Sequence, residues 1–281
     1  MRVHRRLGTA AVALGVVVSG VPLGAAAPAR AVPVPVGTSS TSTYNSGSPK
    51  FDTAGCPAGQ IVLSGGGTIT DGAGHVVLSD VILGRTTVTV MAYEVTAYSG
   101  NWSVTATAVC GPEEEDVVIT WATGSGTTAA KSATVYCPAG TKLYGTGYEL
   151  PGADGQVFPS AVRPDDALSR VTVKADAHGG YTGDWNLVAY AACAKPAAHM
   201  RLLTARSATG PAAAKAVTTE ACPGLAHVHG VGAEISGGHG DVILAAMTPS
   251  SLALTRSQAG AHAHGRVAED WSVTSYAICS T

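Results

Sequence analysis

The stretch Trp185-Asn-Leu-Val-Ala-Tyr-Ala-Ala-Cys193 decides the fold. Every second residue, Trp185, Leu187, Ala189, Ala191 and Cys193, is apolar, and Tyr190 falls on the opposite parity. That is the two-residue period of a strand with one buried face. The same segment occurs twice more, as Trp102, Val104, Ala106, Ala108 and Cys110, and as Trp271, Val273, Ser275, Ala277 and Cys279. Ten residues before each Trp stands an Ala: Ala92, Ala175 and Ala261. A second set of landmarks lies upstream. Cys56, Cys137 and Cys222 are each followed by Pro, ten residues later by Gly66, Gly147 and Gly232, and twenty later by Val76, Val157 and Val242.

Matches at so many fixed offsets identify three copies of one unit. The units run 34–110, 117–193 and 200–279, joined by Gly-Pro-Glu-Glu-Glu-Asp (111–116) and Ala-Lys-Pro-Ala-Ala-His (194–199). Val88–Ala92, Val171–Ala175, Val117–Trp121 and Lys142–Glu149 add strand candidates, so each unit should hold five or six strands broken by Gly and Pro turns. No segment has a helical period with caps.

Six cysteines allow 15 pairings, and the repeat selects Cys56–Cys110, Cys137–Cys193 and Cys222–Cys279. Closing a loop of about 55 residues adds roughly 4 kcal/mol by chain entropy, a useful term for a unit near the size where one core is marginal. The expected fold is all-β: three tandem, disulfide-linked, β-sandwich-like repeats. The alternative is a single pseudo-threefold β body with a shared core, as in prism-like lectin folds. Short linkers and self-contained cysteine pairs favour the tandem form.

Lys-x-x-Thr-x-x-Cys-Pro-Ala-Gly-Thr (131–141), Gly-Thr-Gly (145–147) and Asp-Trp-Asn-Leu-Val-Ala-Tyr-Ala-Ala-Cys-Ala (184–194) resemble a Cys-pair β-repeat of secreted, uncharacterised proteins of high-GC bacteria. The resemblance covers about 34–279 and is best in unit two. Gln60 in unit one and Cys-Pro-Gly-Leu (222–225) in unit three depart from it. It implies export and a disulfide-linked β module, and carries no catalytic residue or ligand.

The N-terminus agrees with export. Residues 1–6 are basic, Leu7–Ala27 carries no charge, and Ala29-Arg30-Ala31 is a small-x-small cleavage pattern. Residues 1–31 therefore read as a signal peptide, and the product as secreted, with disulfides permitted and no membrane insertion after cleavage. Cleavage removes four Arg and no acid, leaving 13 basic and 19 acidic residues, a formal charge of −6. With no basic run in the remainder, a nucleic-acid partner is excluded.

Catalytic signals are missing. There is no Gly-x-Ser-x-Gly elbow, no Gly-rich phosphate loop before a helix, and every Cys is claimed by the repeat. The acidic run 113–116 reads as a solvated linker. Histidine is the exception: five of nine lie in unit three, His227, His229, His239, His262 and His264. In a strand, residues i and i+2 share a face, so His227 with His229 and His262 with His264 are a candidate Zn²⁺ or Cu²⁺ set. Val228 should point inward, and His227 and His229 outward. Trp102, Trp185, Trp271 and Trp121 read as core. Tyr93, Tyr144, Tyr190 and Tyr276 read as outward, the better candidates for a binding face.

The expected function is a secreted, non-catalytic binding or structural protein, with cell-wall polymer, extracellular glycan or another protein as partner. No cofactor is expected beyond that metal. The alternatives are an exported hydrolase with a site assembled between units, and metal binding by the histidines of unit three.

Overall fold

The computed structural model describes residues 34–72, 74–113, 116–238 and 240–281. Residues 1–31, read above as a signal peptide, and His239 lie outside the described residues. Unit one forms β1 (Val36–Thr41), β2 (Lys50–Gly55), β3 (Gln60–Thr70), β4 (Val76–Leu83), β5 (Thr87–Glu94) and β6 (Ser103–Pro112). Unit two forms β7 (Val118–Thr123), the short β8 (Ser125–Gly126), β9 (Ala130–Tyr136), β10 (Lys142–Glu149), β11 (Val157–Pro164), β12 (Arg170–Ala177) and β13 (Val188–Ala194). Unit three forms β14 (Arg201–Arg206), β15 (Ala214–Thr218), β16 (His227–Ser236), β17 (Val242–Pro249), β18 (Ser257–Ala263) and β19 (Ser272–Ser280). The chain is all-β, without an α-helix among the described residues. The three disulfides are Cys56–Cys110, Cys137–Cys193 and Cys222–Cys279, as the repeat predicts.

Within a unit the strands form two half-sheets, β1-β6-β3 and β2-β5-β4 in unit one, each of three strands except where unit two adds the short β8 beside β9. Each half-sheet ends on a strand whose outer edge has no partner inside the unit, and unpaired backbone groups must find one. They find it in the neighbouring unit. β3 pairs with β17, β10 with β4, and β16 with β11. Three sheets result, β1-β6-β3-β17-β18-β15, β2-β5-β4-β10-β13-β7 and β14-β19-β16-β11-β12-β9-β8. Each contains strands of two units, and the pairings run cyclically round all three. The disulfide-linked units are present, but as parts of a pseudo-threefold body whose main core cluster draws on all three units, rather than as beads. The short linkers and self-contained disulfides that favoured beads constrain only the chain within and between units. They do not satisfy the half-sheet edges.

The repeat glycines make the seams. A Cβ at Gly147 would stand 2.5 Å from the carbonyl oxygen of Val81, and one at Gly232 would stand 2.5 Å from that of Val162. At Gly66 it would strike the carbonyl of Met247. Trp102, Trp185 and Trp271 are buried, as their parity predicts. Each indole lies under a lysine: Lys50 4.2 Å, Lys131 4.7 Å and Lys215 5.0 Å from the ring centroid.

Candidate functional site

Each seam presents an outer face, and the repeat offsets identify equivalent positions on the three. Twelve residues after the first cysteine stand Thr68, Glu149 and Glu234. Three before the second stand Thr107, Tyr190 and Tyr276. Twenty-four after the first stand Asp80, Ala246 and Ala161. One backbone plan therefore carries three chemistries. The β3–β17 face has an uncharged cleft of about 290 Å³ lined by Ser39, Thr68, Thr105, Thr107, Thr248 and Gln258. The β11–β16 face has a cleft of about 330 Å³ with Arg163, Arg170 and Lys174 set among Asp165, Asp166 and Glu234. The β4–β10 face combines carboxylates with aromatics.

That third face is built as follows. Tyr148 pairs with Val81 across the seam, which sets Glu149 beside Asp80. Tyr190 donates its hydroxyl hydrogen to Glu149 Oε2 at 2.8 Å. Burial and this bond to a carboxylate both push the Tyr190 phenol up, so it stays protonated. Asp80 is 4% exposed. Its Oδ1 accepts the Leu150 N–H at 2.7 Å. Burial pushes its carboxyl up to about 6; the Leu150 bond works against this, and Glu149 and Asp154 add to it. On the edge strand β7, Trp121 pairs with Tyr190 and so shares its outward side. On the opposite edge strand β2, Phe51 pairs with Met91, which pairs with Asp80 on the same outward side. Trp121 is 63% exposed and Phe51 66%. Five strand spacings separate the two edges, roughly 24 Å.

Trp121 is thus a correction to the expected core position. Its inward neighbours on β7 are the small Thr120 and Ala122, which pair with Ala191 and Ala189. The signal was available, because the equivalent positions are Ser39, paired with Thr107, and Thr204, paired with Tyr276. Phe51, Asp80 and Glu149 carried no sequence signal of their own. Of the tyrosines expected outward, Tyr190 and Tyr93 are half-buried, while Tyr144 and Tyr276 are buried.

The histidines of unit three divide into two places. His227 begins β16 and pairs with Ser280. The register then slips between Val228 and Gly230, so His229 is a bulge residue. Val228 is buried as expected, but the bulge breaks the alternation and buries His229 as well. Its ring lies 5.5 Å from Tyr144, the bulge residue of unit two. Burial, aided by His227, lowers its pKa to about 4. His262 and His264 lie at the other end of these strands, where Ala263 pairs with Val242 and the His264 N–H reaches the carbonyl of Asp241. A strand length, roughly 25 Å, separates the two pairs. The four histidines are not brought together, and no three His, Cys, Asp or Glu side chains among the described residues stand ready around one metal position.

The histidine neighbours of His264 come from other units. At one end of the pseudo-threefold axis the equivalent residues Val77, Phe158 and Ile243 pack together with Val95. Over them His178 stacks on Phe158 at 4.9 Å and meets His264 edge-on at 4.8 Å, while His75 lies 6.4 Å from His264. No protein-family model matches the chain, and no curated protein is similar to it.

Proposed function

We propose that the mature chain is a secreted, non-catalytic binding protein that holds an extended carbohydrate polymer, such as a cell-wall glycan, along its β4–β10 face. The observation that carries this reading is the exposed Trp121 beside Tyr190, with Phe51 exposed at the far edge of the same sheet. A pyranose ring has an apolar C–H face that packs on an aromatic plane and a rim of hydroxyls that needs acceptors. Trp121 and Phe51 supply the planes, and Glu149 supplies an acceptor between them. The separation of the two aromatics suits a chain molecule more than a single sugar. Export is supported by the signal-peptide pattern and by three disulfides, which persist in oxidising surroundings. No helix among the described residues is long and apolar enough to cross a membrane.

Co-sedimentation of the mature protein with peptidoglycan, chitin and cellulose tests the reading. Saturable binding to one polymer is expected, at least tenfold weaker in Trp121→Ala and weaker again in the double variant with Phe51→Ala. Binding to none of them, or binding indifferent to both substitutions, would remove this face from the account.

A second reading, an exported hydrolase with its site between units, has one observation in favour. Asp80 and Glu149 come from different units, and their differing environments resemble an acid–base pair. Asp80 is nevertheless buried and committed to the Leu150 N–H. Release of reducing ends from a bound polymer, lost in Asp80→Asn, would favour the hydrolase.

A further inference from the structure

We infer that the cleft on the β11–β16 face binds a phosphate group, carried as a monoester on a small organic molecule. The cleft, about 330 Å³, takes Arg163 from β11, Arg170, Thr172 and Lys174 from β12, and Glu234 from β16. It crosses a seam between units, so it exists only because two units share a sheet.

Strand register gathers the cations. Arg163 pairs with Thr172, and Lys174 with Ala161. Residues two apart on a strand share a face, roughly 7 Å from one another. Arg170 and Lys174 therefore flank Thr172 on its own strand, and Arg163 faces it from the next. Three long cationic side chains surround one hydroxyl, and their flexible stems can close that spacing.

Hydrogen bonding sets the sign of the ligand. Two carboxylates of the cleft are already committed. Asp165 accepts the Ser169 N–H and hydroxyl, each at 2.7 Å, and the Arg170 N–H at 3.0 Å. Glu234 accepts the Tyr276 hydroxyl hydrogen. The cations are freer. Arg163 approaches Glu234 at 3.9 Å and Arg170 approaches Asp165 at 3.8 Å, both beyond hydrogen-bond length. Arg170 donates once from its side chain, to the Tyr136 hydroxyl at 3.1 Å. The exposed Lys174 ammonium has no ion pair or hydrogen bond among the described residues. Arg163 and Arg170 are 59% and 45% exposed, against 24% and 21% for Glu234 and Asp165, so the cations stand above the carboxylates. Asp166, exposed in the turn after β11, is the remaining acid at the rim. Uncommitted donors over committed acceptors call for an acceptor-rich anion. A phosphate monoester brings nearly two charges and three oxygens to three cations, where a carboxylate brings one charge and two oxygens. The cleft is larger than a phosphate group, which leaves room for what it esterifies.

The other two seams lack this trio. The positions equivalent to Arg163, Arg170 and Lys174 are Ile82, Thr87 and Met91 in unit one, and Thr248, Arg256 and Gly260 in unit three. Arg256 donates instead to the Thr219 carbonyl oxygen at 3.0 Å. All three seams form, so the fold itself does not require the cations.

Calorimetric titration of the mature protein at pH 7.5 and low salt tests the proposal, with glucose 6-phosphate as probe and inorganic phosphate, glucuronate and glucose beside it. One saturable site for glucose 6-phosphate is expected, with glucuronate and inorganic phosphate about tenfold weaker and glucose not bound. Arg163→Gln and Lys174→Gln should each weaken the site about tenfold. Glu234→Gln keeps an acceptor for Tyr276 and removes the competing charge beside Arg163, so it should bind severalfold tighter. Arg201→Gln, which removes one charge from β14 outside the cleft, should leave binding unchanged. Thermal melts of each variant establish that it has folded. No saturable uptake by the folded protein, uptake weakened alike by Arg163→Gln and Arg201→Gln, weaker uptake in Glu234→Gln, or glucuronate or inorganic phosphate bound as tightly as the ester would each overturn it.

Discussion

Gly145 lies against the carbonyl of Leu63, so close that a Cβ on Gly145 would overlap its oxygen. The relationship repeats one unit on, where Gly230 meets the carbonyl of Tyr144. These contacts join β3, β10 and β16, the strands that carry the seams. Neither glycine has a positive φ, so the need is for space alone. Gly145→Ala should therefore destabilise the whole molecule by about 3 kcal/mol or more, because the obstacle is backbone and cannot swing aside. Gly140→Ala is the control. Gly140 has φ +82° and nothing within 4 Å of its added Cβ, so its cost is conformational, about 1 kcal/mol. Chemical denaturation of both variants measures the difference.

Because every sheet is built from two units, no unit should fold alone. A fragment holding only residues 117–194 would expose the free edges of β10 and β11 and the apolar surface beneath them. It should be unstructured or aggregated even with Cys137 and Cys193 joined, and the mature protein should melt in one transition detected alike by far- and near-ultraviolet circular dichroism. A folded monomeric fragment with native near-ultraviolet signal would contradict the shared core.

What could be read in the sequence was local. Trp185, Leu187, Ala189, Ala191 and Cys193 announce a half-buried strand through side-chain period alone, and repetition of the pattern pairs the cysteines. The partner of an edge was not legible. β10 reads the same whether its free side meets solvent or β4, since backbone hydrogen bonds leave little trace in side-chain type. Gly147 held the clue to close approach, but a bulge or a turn asks for glycine too. His229 failed for a related reason. A single inserted residue reverses parity, and Val228-His229-Gly230 has no composition that marks a bulge. The axial histidines were hidden furthest, because His75, His178 and His264 are scattered over some 190 residues and meet only through the arrangement of units.

The lysine over each tryptophan predicts a stability cost. Lys131 holds its ammonium 4.7 Å from the Trp185 ring centroid and donates to the Trp185 carbonyl oxygen. Lys131→Met keeps most of the apolar stem and removes the charge and the donor. The expected loss is about 1–2 kcal/mol. Lys50→Met and Lys215→Met should cost similar amounts, since both lysines also bond to backbone oxygens, Lys50 at Asn45 and Gly47 and Lys215 at Ala208. Urea unfolding of the three variants checks the equivalence.

His229 sets part of the acid limb of stability. Its pKa is depressed by burial to about 4 in the folded chain, against about 6.5 when unfolded. Between these values the unfolded chain binds the extra proton, so the stability His229 contributes is complete above pH 6.5 and is lost as pH falls towards 4. The loss is about 3 kcal/mol. Unit one has Leu63 at the same bulge, so the backbone there accepts an aliphatic side chain. His229→Leu should flatten the stability profile between pH 6.5 and 4. It should also leave stability at pH 8 unchanged or about 1 kcal/mol higher, since it removes a buried Nδ1 without a partner. Denaturant midpoints across that range measure both effects.

Asp80 has the opposite sign. Its carboxyl is raised by burial to about 6 in the folded chain, against about 3.9 unfolded. The folded state therefore binds the extra proton between these values. The associated stability is complete below pH 3.9 and is lost as pH rises through 6, so ionised Asp80 costs the fold about 3 kcal/mol at pH 8. Asparagine retains an oxygen to accept the Leu150 N–H and carries no charge to desolvate. Asp80→Asn should accordingly raise stability by about 1–3 kcal/mol at pH 8 and by almost nothing at pH 4. Urea midpoints at the two pH values decide it. A gain that persisted unchanged at pH 4 would mean that packing, rather than the buried charge, distinguishes the two side chains. If the predicted pattern holds, the seam carries a charge that the fold alone would be better without, and a polymer gripped beside Glu149 becomes the reason to look for one.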